Sequence, residues 1–231
     1  MCRMLGLKNF VFRKHREILE NFFELAKTGK CPPGDPPGHL DGWGVGFYKN
    51  GKALVHKSGG SIVKEKQEFF ETCERVKASR ILLLHLRKSA WSGTSKLAHS
   101  HPFAAGNILF AHNGTIRDFK ALREKVIQDP PSPEALDSEV YFHYVMNFAP
   151  LGLAKALRRA AIDIKTSHTY SSLTCLLADG NLIYGFREYT KNPWYYSLCT
   201  ASAEGATVVA SEPVSPRLRW KMLPKGKVFV F

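Results

Sequence analysis

Two dipeptides, Asn50-Gly51 and Asp179-Gly180, restrict most the folds open to this 231-residue chain. GWGVGFY and KALVHK flank the first, and SSLTCLLAD and LIYGFRE lie around the second. Asn-Gly and Asp-Gly tolerate the positive φ angles of tight hairpins, so the flanking runs are expected to pair antiparallel. RILLLHL and NILFAHN read as two further buried strands, separated by RKSAWSGTSKLAHSHPF, which is too long for a tight hairpin. Segment 14–27 places Ile18, Leu19, Phe22, Phe23 and Ala26 at helical spacing and stops in the loop TGKCPPGDPPGHLDG. KEKQEFFETCERVKA carries Phe69, Phe70, Cys73 and Val76 on one helical face. Further helical patterns cover 118–127, 134–148 and 151–162, and WYYSLCT, ATVVAS and VFVF return to strand character. Helices gathered in the middle with strands on both sides disfavour a parallel sheet. They favour antiparallel sheets with helices packed outside, an α+β chain. No repeat, low-complexity tract or linker divides it, so one domain over 1–231 is expected.

Composition narrows the class. Hydrophobic residues at 44% and charged residues at 23% are ordinary for a globular protein. No run approaches the ~20 apolar residues of a bilayer span. Arg3, Lys8, Arg13, Lys14 and Arg16 interrupt any signal-like segment, which points to the cytoplasm and away from a membrane. The five cysteines are odd in number and form no C-x-x-C pair, so neither a disulfide framework nor a zinc site is expected. Cys73, Cys175 and Cys199 sit in apolar patterns as core fillers. The formal charge of +13 is dispersed, with no basic tail and no nucleic-acid-binding motif. A generally basic surface accounts for it, and contact with a polyanion is the other reading.

Chemistry concentrates at Cys2 and in three stretches downstream, the second of which runs from His99 to Thr115. Cys2 becomes the first residue if Met1 is removed, and then a thiol and a free α-amine share one residue. Arg87 ends the apolar strand in His85-Leu86-Arg87, where it is either a solvated strand end or a guanidinium fork for a carboxylate. His99-x-His101 invites a metal reading, but no third ligand has motif spacing, and no metal or other cofactor is expected. Asn113-Gly114-Thr115 is at once a glycosylation sequon, a hairpin dipeptide and an oxyanion donor pair, and the last two readings stay level. Asp137 opens a helical stretch, either capping it or pairing with a ligand ammonium.

Cys2-Arg3, DGWGVGFY, HLRKSA, HSHPF, FAHNGTI and the DSE helix start occur together in this order. In this the chain resembles the class II glutamine amidotransferases, which are N-terminal-nucleophile hydrolases, and in particular the stand-alone members that begin MCR. SSLTCLLADG, LIYGFRE and ASEP extend the likeness over nearly the whole chain. The resemblance implies a four-layer α/β/β/α sandwich of two antiparallel sheets and removal of Met1. It makes Cys2 the nucleophile with its own α-amine as base. Asn113 and Gly114 become the oxyanion hole, Arg87 the site for the substrate α-carboxylate and Asp137 that for its α-ammonium. Trp43, Gly44, His85, His101 and His112 fall in family motifs and take supporting roles, with His112 buttressing the turn. Some synthase-linked relatives have a histidine shortly after the arginine; here Trp91 falls near that position.

The implied activity is cleavage of a γ-glutamyl amide through a cysteine thioester. Free glutamine would release ammonia to a synthase partner. The alternative is a γ-glutamyl compound hydrolysed without a partner, as in relatives from ergothioneine or glutathione metabolism. A non-catalytic basic binding protein on the same fold is the rival from a different class, marked by steep salt dependence of polyanion binding.

Overall fold

The computed structural model describes residues 2–231 and consists of two antiparallel sheets with helices on their outer faces. In chain order the elements are β1 (Arg3–Val11), α1 (Phe12–Thr28), β2 (Trp43–Lys49), β3 (Lys52–Ser58), α2 (Lys66–Val76) and β4 (Ala78–Leu86). Then follow β5 (Phe103–Ala105), β6 (Ile108–Asn113), α3 (Phe119–Arg123), α4 (Asp137–Met146) and α5 (Leu153–Ser167). The chain closes with β7 (Thr174–Ala178), β8 (Ile183–Phe186), β9 (Cys199–Ala203), β10 (Ala206–Ala210), β11 (Lys221–Met222) and β12 (Val228–Val230). The larger sheet has the order β11-β9-β10-β1-β4-β2-β3 and the smaller the order β12-β8-β7-β6-β5.

Side-chain alternation explains the layering. Along β4, Leu82, Leu84 and Leu86 enter the core beneath α1 and α2, while Ile81 and Leu83 face the other sheet. Along β6, Leu109 and Ala111 meet them in that middle core, and Phe110 turns outward to the helices α4 and α5. Strands apolar on both faces are what a two-sheet sandwich covered by helices requires. Three cores between four layers follow, the α/β/β/α order implied by the resemblance. Both hairpins form as expected: β2 pairs β3 across Asn50 and Gly51, whose φ values are 51° and 74°. No helix among the described residues is long and apolar enough to cross a membrane.

Several elements depart from the sequence expectation. The opening residues form β1, paired on both sides by β4 and β10, although Arg3, Lys8 and the glycine obscure its pattern. The helix expected over 118–127 shrinks to α3. The run 134–136 stays outside α4, whose faces are buried nearly all round and so show little amphipathic contrast. WYYSLCT is strand only from Cys199; Tyr195 and Tyr196 donate their N–H groups to the Asn192 carbonyl in a turn. Asn113-Gly114 makes no hairpin, because the chain leaves β6 for an isolated bridge between Ile116 and Tyr170 and then α3. Gly114 is glycine for a different reason: a Cβ there would overlap the Ser172 carbonyl.

Candidate functional site

Antiparallel pairing brings the start of β1 beside the end of β4, with Arg3 opposite Leu86, and β6 ends at the same edge. Cys2, Arg87 and Asn113 therefore converge from three strand ends of two sheets, and the N-terminus of α4 delivers Asp137. Cys2, Arg87, Gly114 and Asp137 line one cleft, together with Trp91 and His101.

The Cys2 backbone N–H donates to Asn113 Oδ1 at 3.1 Å, and the Cys2 thiol lies 3.7 Å from the Lys88 carbonyl. Because the nitrogen is a donor, it fixes the oxygen of the Asn113 amide on its own side. The opposite nitrogen, Nδ2, is buried and has no hydrogen-bond partner among the described residues. Buried donors are rarely left unpaired, and this one is available to an oxygen that arrives with a ligand. Release of Met1, on which a free amine at Cys2 depends, concerns a residue outside the described ones.

Arg87 is only 3% exposed. Its Nη1 donates to the Asp41 and Thr94 carbonyls at 3.2 and 2.8 Å, and Nη2 to the Ser89 and Thr94 hydroxyls, both at 3.0 Å. It is thus not a solvated strand end. The two hydroxyl contacts can rotate away, whereas the carbonyl contacts hold the fork in place. Burial lowers the Arg87 pKa, opposed by the charges of Cys2, Asp41 and Asp137. Asp41 completes the support by accepting the Ser89 N–H at 2.8 Å and the Ser95 hydroxyl at 3.3 Å, which pins the 89–95 loop over the cleft.

Asp137 is 4% exposed, and its Oδ2 accepts the Ile116 N–H at 2.9 Å. Its Oδ1 accepts Trp91 Nε1–H at 3.1 Å. Burial pushes this carboxyl up to about 6, held back by those two bonds, the Ser138 N–H and the Arg87 charge. Trp91, where some relatives have histidine, packs edge-on against Phe119 and orients the acid. Its sequence signal was only a departure from a motif, so its bond to Asp137 was not anticipated.

Three histidines stand behind Cys2. His112 Nδ1 and the Ser138 hydroxyl are 2.9 Å apart, and Nε2 reaches the Ser172 carbonyl at 3.0 Å, joining β6, α4 and the start of β7. His85 Nε2 lies 3.3 Å from the His112 carbonyl, and its ring is 4.0 Å from that of His101. Burial holds His85 and His101 well below the usual imidazole range and His112 down to about 4. All three are neutral at pH 7, so they supply shape and hydrogen bonds rather than charge. Both ring nitrogens of His101 lack partners among the described residues.

Trp43 does not reach the cleft. It is packed under α2 against Phe69, and its Nε1–H donates to Glu65 Oε2 at 2.6 Å. Gly44 acts by absence, since a Cβ there would overlap the His101 carbonyl. His99 and His101 do not share a strand face: His99 closes a one-turn helix with its nitrogens near the Thr94 and Glu134 carbonyls. Among the described residues, no group of three or more histidine, cysteine or acidic side chains is placed to hold a metal ion. Arg3 lies behind Cys2, paired with Glu212 at 3.1 Å and stacked on the Tyr195 ring 4.5 Å away. It was legible only as part of the Cys2-Arg3 motif.

The model of the family described as "Glutamine amidotransferases class-II" matches residues 1–195. An uncharacterised protein of Methanocaldococcus jannaschii is 28% identical over 200 residues, covering 82% of this chain and 51% of that protein. A glutamine–fructose-6-phosphate aminotransferase of Geobacillus kaustophilus is 26% identical over 176 residues, 74% of this chain and 28% of its own length. The chain thus spans about half or less of these two relatives. YafJ of Escherichia coli K12, named as a glutamine amidotransferase, is 23% identical across 100% of this chain and 97% of its own. Among solved structures, a glutamine aminotransferase class-II domain protein from Silicibacter pomeroyi matches with TM-score 0.66 at 20% identity, covering 99% of this chain and 94% of its own. The glutamine phosphoribosylpyrophosphate amidotransferase of Bacillus subtilis matches with TM-score 0.68 at 16% identity, covering 99% and 47%. The fold is therefore that of the N-terminal-nucleophile hydrolases. With a family model covering most of its length, the chain belongs to the class II glutamine amidotransferases.

Proposed function

We propose that the chain hydrolyses γ-glutamyl amides, with Cys2 as nucleophile once Met1 has been removed. The observation that carries this reading is the two-sided use of Asn113, whose Oδ1 holds the Cys2 nitrogen while Nδ2 is left unpaired beside it. The substrate α-carboxylate docks on Arg87 and its α-ammonium on Asp137, which sets the side-chain carbonyl against the thiol. The free α-amine, with a reference pKa of about 7.7–8.0, takes the thiol proton as sulfur attacks the carbonyl carbon. The oxygen gains the negative charge and is stabilised by Asn113 Nδ2 and the Gly114 N–H. The ammonium then returns its proton to the substrate nitrogen, the C–N bond breaks, and a γ-glutamyl thioester remains. Water, deprotonated by the same amine, hydrolyses it to glutamate and the free thiol. Thiol and base on one residue need no separate histidine, and the neutral, buried His85, His101 and His112 are consistent with that.

The test is labelling with a glutamine analogue bearing a diazo ketone in place of the amide. Intact mass should lack Met1 and gain a single adduct, which peptide mapping locates on Cys2, with loss of glutamate release from glutamine. Protein that retains Met1 has its nitrogen in an amide bond and should neither label nor turn over. An adduct on Cys31, or glutamate release that survives labelling, would refute the reading.

Asp137 gives a pH dependence with a definite sign. Its carboxyl is pushed up to about 6, so the ionised form that pairs with an ammonium fills only above that pH. Titration calorimetry of glutamate with the Cys2→Ala protein measures binding of the product without the thiol. Affinity should be flat above pH 7 and fall about tenfold per unit well below pH 6. Trp91→Phe removes a hydrogen bond to the ionised carboxylate and should shift the fall to higher pH. A flat profile down to pH 5 contradicts the assignment.

A further inference from the structure

The cleft does not end at the nucleophile. A second depression of about 490 Å³ opens beside it, and Lys88, Ser89, Ala90, Trp91 and Thr115 line both. Arg87 and Asp137 border only the inner cleft; Asp35 and Arg117 border only the outer depression. Ser89 and Trp91 of this wall hold Arg87 and Asp137 at the amino-acid head, and its Lys88 borders the Cys2 thiol, the side from which an amine would depart. The Lys88 carbonyl, 3.7 Å from the thiol, is there to accept its N–H. Ammonia is about the size of water, whose share of liquid volume is roughly 30 Å³. The outer depression is more than ten times larger, room for an amino acid or a short peptide.

Its charges are unequally committed. Asp41 is occupied by Ser89 and Ser95, and the Lys88 ammonium donates to the Pro36 and Gly38 carbonyls. Arg117 differs: its backbone is anchored by an N–H donated to the Thr169 carbonyl at 2.9 Å. Its guanidinium has no hydrogen bond or ion pair among the described residues. A planar fork on a fixed backbone at the mouth of the site matches a carboxylate.

We propose that this depression is the leaving-group subsite and that Arg117 receives the carboxylate of the departing amine. The substrates are then γ-glutamyl amino acids or γ-glutamyl peptides, and cleavage with water yields glutamate and the free amino acid or peptide. The assignment rests on the hydrolase reading above and specifies its substrate class.

The experiment compares γ-glutamylalanine, its C-terminal amide and glutamine on wild type, Arg117→Ala and Arg117→Lys, with glutamate and alanine quantified. Arg117 is exposed, so wild type should prefer the acid over the amide by about 2- to 5-fold in kcat/KM, the usual worth of an ion pair at a solvated rim. Arg117→Ala should bring that ratio near one through a raised KM, and Arg117→Lys should restore part of it. An equal loss on acid and amide would mean a structural role, and a wild type that favours glutamine would assign the depression to something other than the leaving group; either overturns the subsite. If no γ-glutamyl amide turns over and the diazo ketone leaves Cys2 unlabelled, the hydrolase reading fails and the subsite falls with it.

Discussion

Cys2→Ala abolishes glutamate release, a loss of at least about 10⁴-fold, while the protein keeps its fold. The size follows from the proposed covalent route, because removing a nucleophile leaves only binding and oxyanion stabilisation to act on bulk water. The thiol is nearly buried and has one side-chain hydrogen-bond contact among the described residues, to the Lys88 carbonyl, so its deletion costs about 1 kcal/mol of packing. The melting temperature should therefore fall by only about 2–4 °C and the near-ultraviolet circular dichroism should overlay that of wild type, while the coupled glutamate assay reads zero. Cys2→Ser preserves the shape and retains a trace of activity, since a hydroxyl is a far poorer nucleophile at neutral pH. Full turnover by the alanine variant would end the covalent mechanism.

Asn113→Ala lowers kcat by about 10²- to 10³-fold with little change in KM, equivalent to about 2.7–4 kcal/mol of transition-state stabilisation. Two effects add at this residue. The variant removes the unpaired Nδ2 that meets the developing negative charge, and it removes the Oδ1 that holds the Cys2 nitrogen. Asn113→Asp separates them, because it keeps an acceptor for the nitrogen but places a negative charge where the oxyanion forms. Its kcat should fall below that of the alanine variant. If the aspartate variant instead recovers activity, the residue serves only to position Cys2. A change confined to KM would place Asn113 on the substrate head rather than at the reacting carbonyl.

What the chain revealed before folding depended on whether its signals were local. Ile18, Leu19, Phe22, Phe23 and Ala26 declared one buried helix face, and all five are buried in α1. Asn50-Gly51 declared a turn because its geometry resides in two residues. The α4 helix was harder to bound. It is covered on nearly every side, so its residues lack the polar face that marks where a helix begins and ends. Arg87 and Asp137 could be named as candidates from motif position, but their environments could not. The Asp41 and Thr94 partners of Arg87 and the Trp91 partner of Asp137 arrive from two separate loops whose paths are set by tertiary contacts. Trp43 shows the converse, a residue inside a family motif that the fold commits to the core beneath α2. Arg117 carried no sequence signal, because its distinction is the lack of a partner at the mouth of a cleft.

The bond from Cys2 to Asn113 joins residues carried by different sheets, and the middle core between those sheets helps to set the distance between them. That core is a spacer made of Leu83, Leu109, Leu176 and Ile183, with Gly6 admitting the side chains of Leu176 and Ile183 and Gly46 that of Leu109. The gap between the Cys2 sulfur and the Asn113 amide is thus gauged by hydrocarbon thickness along the sandwich. Enlarging or hollowing that filling tunes the reaction as a shim tunes a caliper, from positions that never meet a substrate. The interior of this molecule therefore has two tasks at once, cohesion and the calibration of its edge.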